Sequence, residues 1–263
     1  MSTVDPSANH NVARKAHQPR TGSWFLNSHE YLSWYKAPDM LLWLHGLPGA
    51  GKTVLCSTVI EDIKQRNENS VDARCAYFYF DFRDRSKQTV EGMLRSVLRQ
   101  LASYEASLPR SIAKLHRAHA RQGHQPTQEA LTGTLYSIVE RTHRTFIVLD
   151  ALDECAELDE ALDLLLALVD DSRTNLSILV TSRELDDISE AIKDVPPDKL
   201  KHMSIQNRKD NADVDLFIRT QVEKNRKLRR WRNQKSQIIK VLRDGAHGMY
   251  ECPKYFRIYN LWY

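Results

Sequence analysis

Eight consecutive residues concentrate the recognisable chemistry of this chain: Gly46, Leu47, Pro48, Gly49, Ala50, Gly51, Lys52 and Thr53 spell GLPGAGKT. The run matches GxxxxGK[ST] at every fixed position, the spacing of a loop that cradles phosphate. Glycine lets backbone N–H groups turn toward phosphate oxygens in conformations that a Cβ would obstruct. A helix starting at Lys52, with Val54 in its first turn, would add the partial positive charge of its N-terminus. Lys52 is then placed to reach the β- and γ-phosphates, and the Thr53 hydroxyl to ligate Mg²⁺.

Two later segments supply what such a loop lacks. The run FIVLDALDE at residues 146–154 is apolar until it meets acid. Asp150 stands at its end, where a phosphate-loop site requires a carboxylate for the Mg²⁺ shell. Asp153 and Glu154 lie just beyond, in reach of an attacking water; Glu154 is the first candidate to orient it and Asp153 the rival. The run ILVTSR at residues 178–183 delivers two hydroxyls and a cation to a strand end. Arg183 is expected to sense or stabilise the γ-phosphate, with pairing to Glu184 as the alternative.

Other features are assigned to structure. Tyr77, Phe78, Tyr79, Phe80 and Phe82 are read as a buried central strand rather than a base-stacking platform. His45 is read as a packed strand-end residue, and Arg83 and Arg85 as no more than neighbours of phosphate. The basic run KNRKLRRWRNQK at residues 224–235 is read as a solvated helix face rather than a nucleic-acid surface.

The elements that must position these residues follow from periodicity. Short apolar runs at residues 40–44, 74–82, 146–149, 176–181 and 200–205 read as strands. Helical spacing marks residues 52–65, 89–104, 110–120, 127–142, 158–169, 210–224 and 235–242. Such alternation indicates an α/β fold, a parallel sheet covered by helices on both faces. Residues 21–36 hold Trp24, Phe25, Tyr31, Trp34 and Tyr35 and are expected to pack on the domain. The polar first 20 residues are expected to lack fixed structure.

Composition sets the outer limits. The chain has 263 residues, 41% hydrophobic and 27% charged, enough for one large α/β domain with a small appendage. A net charge of +4, from 38 basic and 34 acidic residues, describes a mixed surface and argues little for nucleic acid. Cys56, Cys75, Cys155 and Cys252 lie far apart with no metal-ligand spacing, which points to a reduced compartment. No segment approaches the roughly 18 apolar residues of a membrane span, and the N-terminus has no signal-peptide core, so a soluble cytoplasmic protein is expected.

The segments TGSWFL at 21–26, LLWLHGLPGAGKT at 41–53, FIVLDALDEC at 146–155 and ILVTSRE at 178–184 together resemble the NACHT branch of the STAND class of signalling NTPases. The resemblance is strongest to large fungal incompatibility-type receptors and covers residues 20–249, where GAHGM at 245–249 is similar to that family's helical segment. It implies a P-loop NTPase with a five-stranded core, in which the strand at 176–181 inserts between the P-loop strand and the strand ending in Asp150. It implies ATP and ADP as ligands with Mg²⁺, a shape that differs between the two, slow hydrolysis, and residues 21–24 near the adenine. The NTPase core is placed at 21–206, a partial helical domain at 207–249 and a divergent tail at 250–263. Pro253 breaks any helix in that tail, whose aromatic residues would seek a partner surface. A truncated or differently spliced receptor, or a standalone relative, is the expected origin.

The leading reading is a nucleotide-dependent switch with slow ATP hydrolysis, with protein partners or self-association through the core. A scaffold that binds nucleotide without turnover and a nucleic-acid-stimulated ATPase are the alternatives.

Overall fold

The computed structural model describes residues 4–68, 73–104, 110–120, 125–171, 175–205, 212–224 and 234–246. Five strands form one sheet: β1 (Leu41–His45), β2 (Ala73–Tyr79), β3 (Arg144–Asp150), β4 (Leu176–Ser182) and β5 (Leu200–Ser204). Their order is β2-β3-β4-β1-β5 and every described pairing is parallel. β4 therefore lies between the P-loop strand β1 and the Asp150 strand β3, as the family resemblance implied.

A parallel sheet needs crossover connections, and those here are helical. The side-chain alternation of each strand divides the core into two layers. Leu41 and Trp43 of β1 join Ile147 and Leu149 of β3 on one face, under α5 (Val90–Ala102), α7 (Gln128–Val139) and α8 (Leu158–Asp170). Leu42, Leu44, Phe146 and Val148 face the other way, against α3 (His29–Lys36) and α4 (Lys52–Arg66). α6 (Arg110–Ala120) packs beside α7. A further helix, α9 (Asp186–Lys193), has no counterpart in the sequence reading; it is short and buries only Ile188 and Ile192.

The aromatic strand β2 is buried but is an edge strand, not a central one. Side chains from α5 and its C-terminal end cover its free backbone groups. Gln100 accepts from the Tyr77 N–H at 3.1 Å and donates back to the Tyr77 carbonyl at 2.8 Å. The Tyr104 hydroxyl likewise accepts from Cys75 N–H and donates to the Cys75 carbonyl, each at 3.1 Å. Pairing the exposed ladder this way removes a template for unwanted strand addition.

The N-terminal segment is also more ordered than its polar composition suggests. Residues Ser7–Ala16 form α1, which lies on α4, and α2 (Ser23–Leu26) follows. Propensity and an apolar stripe do not explain α1, since its described buried residues are His10 and Ala13 alone. Polar tertiary contacts hold it: His10 Nδ1 lies 2.9 Å from the Tyr79 hydroxyl and its Nε2 lies 3.1 Å from Glu61. Tertiary anchorage of this kind can stabilise a helix that would melt in isolation.

Toward the amino ends of the strands, polar side chains tie the sheet to α3 and the residues that follow it. Arg144 Nη2 donates to the carbonyls of Trp34, Tyr35 and Ala37 at 3.2, 3.0 and 2.6 Å, capping α3, while its guanidinium sits 4.6 Å from the Phe146 ring centre. Trp34 Nε1 donates to the Ile178 carbonyl at 2.9 Å, and the Ser177 hydroxyl to Ala37 at 3.1 Å.

Beyond the sheet, α10 (Ala212–Lys224) and α11 (Lys235–Ala246) share a separate small cluster of Val214, Ile218, Val222, Ile239 and Leu242. Asp213, in the first turn of α10, accepts a hydrogen bond from Gly22 N–H at 2.7 Å. The tail at 250–263 and nearly all of the basic run at 224–235 lie outside the described residues. Among the described residues, no helix is long and apolar enough to cross a membrane, and Cys56, Cys75 and Cys155 are free and buried.

Candidate functional site

The carboxyl ends of the parallel strands are where an α/β sheet places its ligands. Here the loops after β1, β2 and β3 and the end of β4 surround one cavity of about 820 Å³. From the glycine-rich loop it is lined by Pro48, Gly49, Gly51, Lys52, Thr53 and Val54. Gly46, Leu47 and Ala50 stand behind that wall. The Gly46 amide donates to the Ser182 carbonyl at 3.3 Å, Ala50 is buried, and Leu47 is exposed.

Gly49 and Gly51 have φ of +78° and +90°, the left-handed region that a Cβ disfavours. Gly51 is also the N-cap of α4 and brings no capping side chain. The first N–H groups of α4 are thus directed to whatever occupies the cavity, the arrangement that suits an anion. Lys52 curls back over the loop, Nζ donating to the carbonyls of Gly46 at 2.7 Å and Leu47 at 3.0 Å. Burial holds its ammonium below the usual lysine value, against the opposing pull of Asp153 and Asp150.

Asp150 is the most deeply placed carboxylate, with 2% of its surface exposed. Burial pushes it up to about 6, although the hydroxyls of Thr181 and Thr53 and the charge of Lys52 all oppose the shift. The Thr181 hydroxyl donates to Asp150 Oδ1 at 2.6 Å and accepts from Ala151 N–H at 3.0 Å. Ala151 itself lies in the left-handed region with φ of +56°, an arrangement that costs a non-glycine residue on the order of 1 kcal/mol. That turn starts the 3₁₀ segment Leu152–Glu154 and swings Asp153 and Glu154 toward the cavity. Thr53 and Asp150 together form an adjacent hydroxyl–carboxylate pair, the hard oxygen donors that Mg²⁺ prefers. The residues present fit that ion.

The remaining charges are paired across strands. Arg183 donates its backbone N–H to Asp153 Oδ1 at 2.9 Å and its Nε to Oδ2 at 2.6 Å. Both oxygens of Asp153 are therefore engaged in holding Arg183 at the cavity wall. Glu184, the alternative partner of Arg183, lies instead 3.2 Å from His45 Nδ1. His45 is buried and stacked on Trp43 with ring centres 4.2 Å apart. Glu154 Oε2 accepts from the Phe82 N–H at 2.9 Å. Burial raises the Glu154 carboxyl above its ordinary value, helped by Asp153 and Asp81 and resisted by the Phe82 amide and Arg83.

Phe82 and Gln88 also line the cavity, though sequence reasoning assigned neither a place there. A signal was present: in a parallel sheet the loop that follows each strand emerges at the same end as the phosphate loop. Arg83 lines the cavity too, but its guanidinium is paired to Asp81 at 2.8 and 2.9 Å and is largely exposed. Arg85 is not among the lining residues.

Residues 20–183 match the family described as Nephrocystin 3, N-terminal. The chain is also 23% identical over 239 residues to the vegetative incompatibility protein HET-E-1 of Podospora anserina, an alignment spanning 86% of this chain and 16% of that protein. Among solved structures it is similar to a chain of the Drosophila ORC bound to DNA, at a TM-score of 0.48, 16% identity, and coverage of 94% of this chain and 62% of that one. It is likewise similar to the Aeropyrum pernix ORC1 protein in complex with DNA, at a TM-score of 0.46, 14% identity, and coverage of 80% and 49%. The chain thus spans less than two thirds of each of these relatives. With the family match covering well over half of its length, this chain belongs to the nephrocystin 3 N-terminal family of NACHT-like P-loop proteins.

Proposed function

We propose that this protein is a nucleotide-dependent switch that binds Mg²⁺ with ATP or ADP and hydrolyses ATP slowly. The observation that carries the proposal is the meeting of three groups at the start of α4. Lys52, the Thr53 hydroxyl and the buried Asp150 carboxylate converge beside backbone N–H groups that no capping side chain satisfies. That is a set of donors and acceptors for a polyphosphate and its cation.

Each residue then has a task. Lys52 exchanges its bonds to the Gly46 and Leu47 carbonyls for phosphate oxygens. Thr53 and Asp150 hold Mg²⁺, whose charge would neutralise phosphate oxygens in the reaction. Glu154, with a carboxyl raised by burial, is suited to take a proton from a water it orients. Arg183, fixed by Asp153, presents a cation to the phosphate end of the site. We assign this activity to the cytoplasm, with protein partners or self-association through the core, and no role for nucleic acid.

Single-turnover cleavage of radiolabelled ATP tests the reading. Cleavage by the wild-type chain, abolished by Lys52→Ala and slowed roughly a hundredfold by Glu154→Gln, supports it; cleavage that survives Lys52→Ala contradicts it. One observation favours a second reading, a scaffold that holds nucleotide without turnover: the water-directing candidates are tied down, Glu154 by Phe82 and Asp153 by Arg183. Tight binding of nucleotide with no cleavage in the wild-type chain would select that reading.

A further inference from the structure

The proton-accepting candidate Glu154 is held by a backbone amide, so its position depends on the loop that carries that amide. This loop, residues 80–88, is fixed at both ends to β3 and its extension. Phe80 N–H donates to the Asp150 carbonyl at 3.0 Å, and Ala156 N–H to the Gln88 carbonyl at 2.8 Å. Between these points the side chains of Phe82 and Arg83 are mostly exposed and do little to anchor it. Inside the loop Gln88 Nε2 donates to the carbonyls of Asp81 and Phe82, and a second anchor reaches it from α1. Asn9 Nδ2 donates to Asp81 Oδ2 at 3.3 Å, while Asn9 Oδ1 accepts from Lys87 Nζ at 2.7 Å.

One primary amide therefore clasps the loop at two residues six apart, using a donor toward the acid and an acceptor toward the cation. An amide presents its donor and its acceptor on separate atoms, so one side chain can serve both partners. Asp81, so held, also takes the Arg83 guanidinium and the Arg83 N–H, and Phe82 follows it directly in the chain. The helix that carries Asn9 is seated separately, through His10 on Tyr79 and Glu61 and through Arg14 on Thr58. Tyr79 lies opposite Asp150 in the β2–β3 register, and Thr58 and Glu61 belong to α4, the helix behind the phosphate loop.

We propose that Asn9 is a positioning residue for Glu154, acting through residues 80–88, so that the seating of α1 governs cleavage without touching the phosphate loop. This rests on the reading of Glu154 as the group that orients the attacking water. Its geometric half, the Asn9-to-Phe82 coupling, stands apart from that reading and has its own readout.

The readout is hydrogen exchange at the Phe82 amide, resolved to single residues in the full chain, for Asn9→Ala, Asn9→Asp and the control Val12→Ser. Asn9→Asp keeps the acceptor for Lys87 but loses the donor and sets a second carboxylate beside Asp81. Val12 is exposed on the same helix. In both Asn9 variants the Phe82 amide should exchange roughly fivefold to tenfold faster, the size of one lost hydrogen bond. Val12→Ser should match the wild type. Binding of a fluorescent ADP analogue should stay within about twofold in all three, because the phosphate loop is untouched, while single-turnover cleavage falls by about the same factor as protection. Faster exchange spread evenly over the chain in the Asn9 variants would indicate simple destabilisation and overturn the proposal. So would unchanged protection at Phe82. Should Asn9→Ala fail to fold, Lys87→Met removes the other half of the clasp and is read the same way. Should the wild-type chain bind nucleotide but cleave none, the hydrolysis reading fails alone, and exchange at Phe82 still decides the coupling.

Discussion

The two ends of the same strands are built on opposite principles. At the amino ends, Arg144, Trp34 and Ser177 spend their donors on backbone carbonyls of α3 and its neighbours, leaving a tightly sewn base. At the carboxyl ends, Lys52, Asp150, Asp153, Glu154 and Arg183 crowd a single cavity, with one carboxylate buried and a left-handed alanine beside it. The base contributes stability, and the crowded end retains strain and charge for a ligand to relieve. A site held rigid from beneath can tolerate such local cost, because the packed sheet determines where its residues stand.

Substitutions at the two ends should therefore separate activity from stability. The largest effect is expected at the cavity: Glu154→Gln should slow single-turnover ATP cleavage by roughly a hundredfold, in the range for loss of a general base, with nucleotide affinity nearly unchanged. Next comes the base, where Arg144→Ala should lower the urea-unfolding free energy by about 2–3 kcal/mol through loss of the α3 cap. Its nucleotide affinity should stay within about threefold; a larger change would show that the two ends are coupled rather than independent.

Between them lies α1, where burial holds His10 below the 6.5 of a free imidazole although Glu61 pulls the other way. The folded chain then binds fewer protons at this site than the unfolded chain, so stability is present above pH 6.5 and declines as pH falls below it. Thermal melts across that window should show the decline, and His10→Gln should flatten it; an equal slope in both would remove His10 from the account. The smallest effect belongs to Ala151→Gly, which should raise stability by about 0.5–1 kcal/mol by relieving the left-handed backbone. A destabilised variant would mean that the alanine methyl matters more than its φ.

Much of this contrast was legible in the sequence, and the pattern of what was not is instructive. The phosphate loop, the strand before it and the helix after it are encoded in one continuous stretch, Leu41 to Arg66, through glycine spacing and helical periodicity. Asp150 was legible for the same reason, as an acid closing an apolar run. The pairing of Arg183 with Asp153 joins residues 30 apart across adjacent strands, and no local pattern reports it. The edge position of β2 escaped for a related cause: Gln100 and Tyr104 bury its ladder from α5 and the residues that follow, so its composition resembles that of an interior strand. α1 was hidden because it is held by His10 and Asn9 through partners some 50 to 80 residues away, and a polar segment with such partners looks like one with none.

The most direct test of the division of labour is a titration of fluorescent ADP with Mg²⁺ against the wild-type chain and Lys52→Ala, with a urea melt of each. Lys52 bonds the Gly46 and Leu47 carbonyls, but burial of its ammonium offsets those bonds. Its loss should therefore weaken binding by about a hundredfold, as for removal of a charge-assisted phosphate contact, and leave the unfolding free energy within about 1 kcal/mol. Binding that persists within a few-fold of the wild type, or a Lys52→Ala chain that unfolds early, would contradict the account.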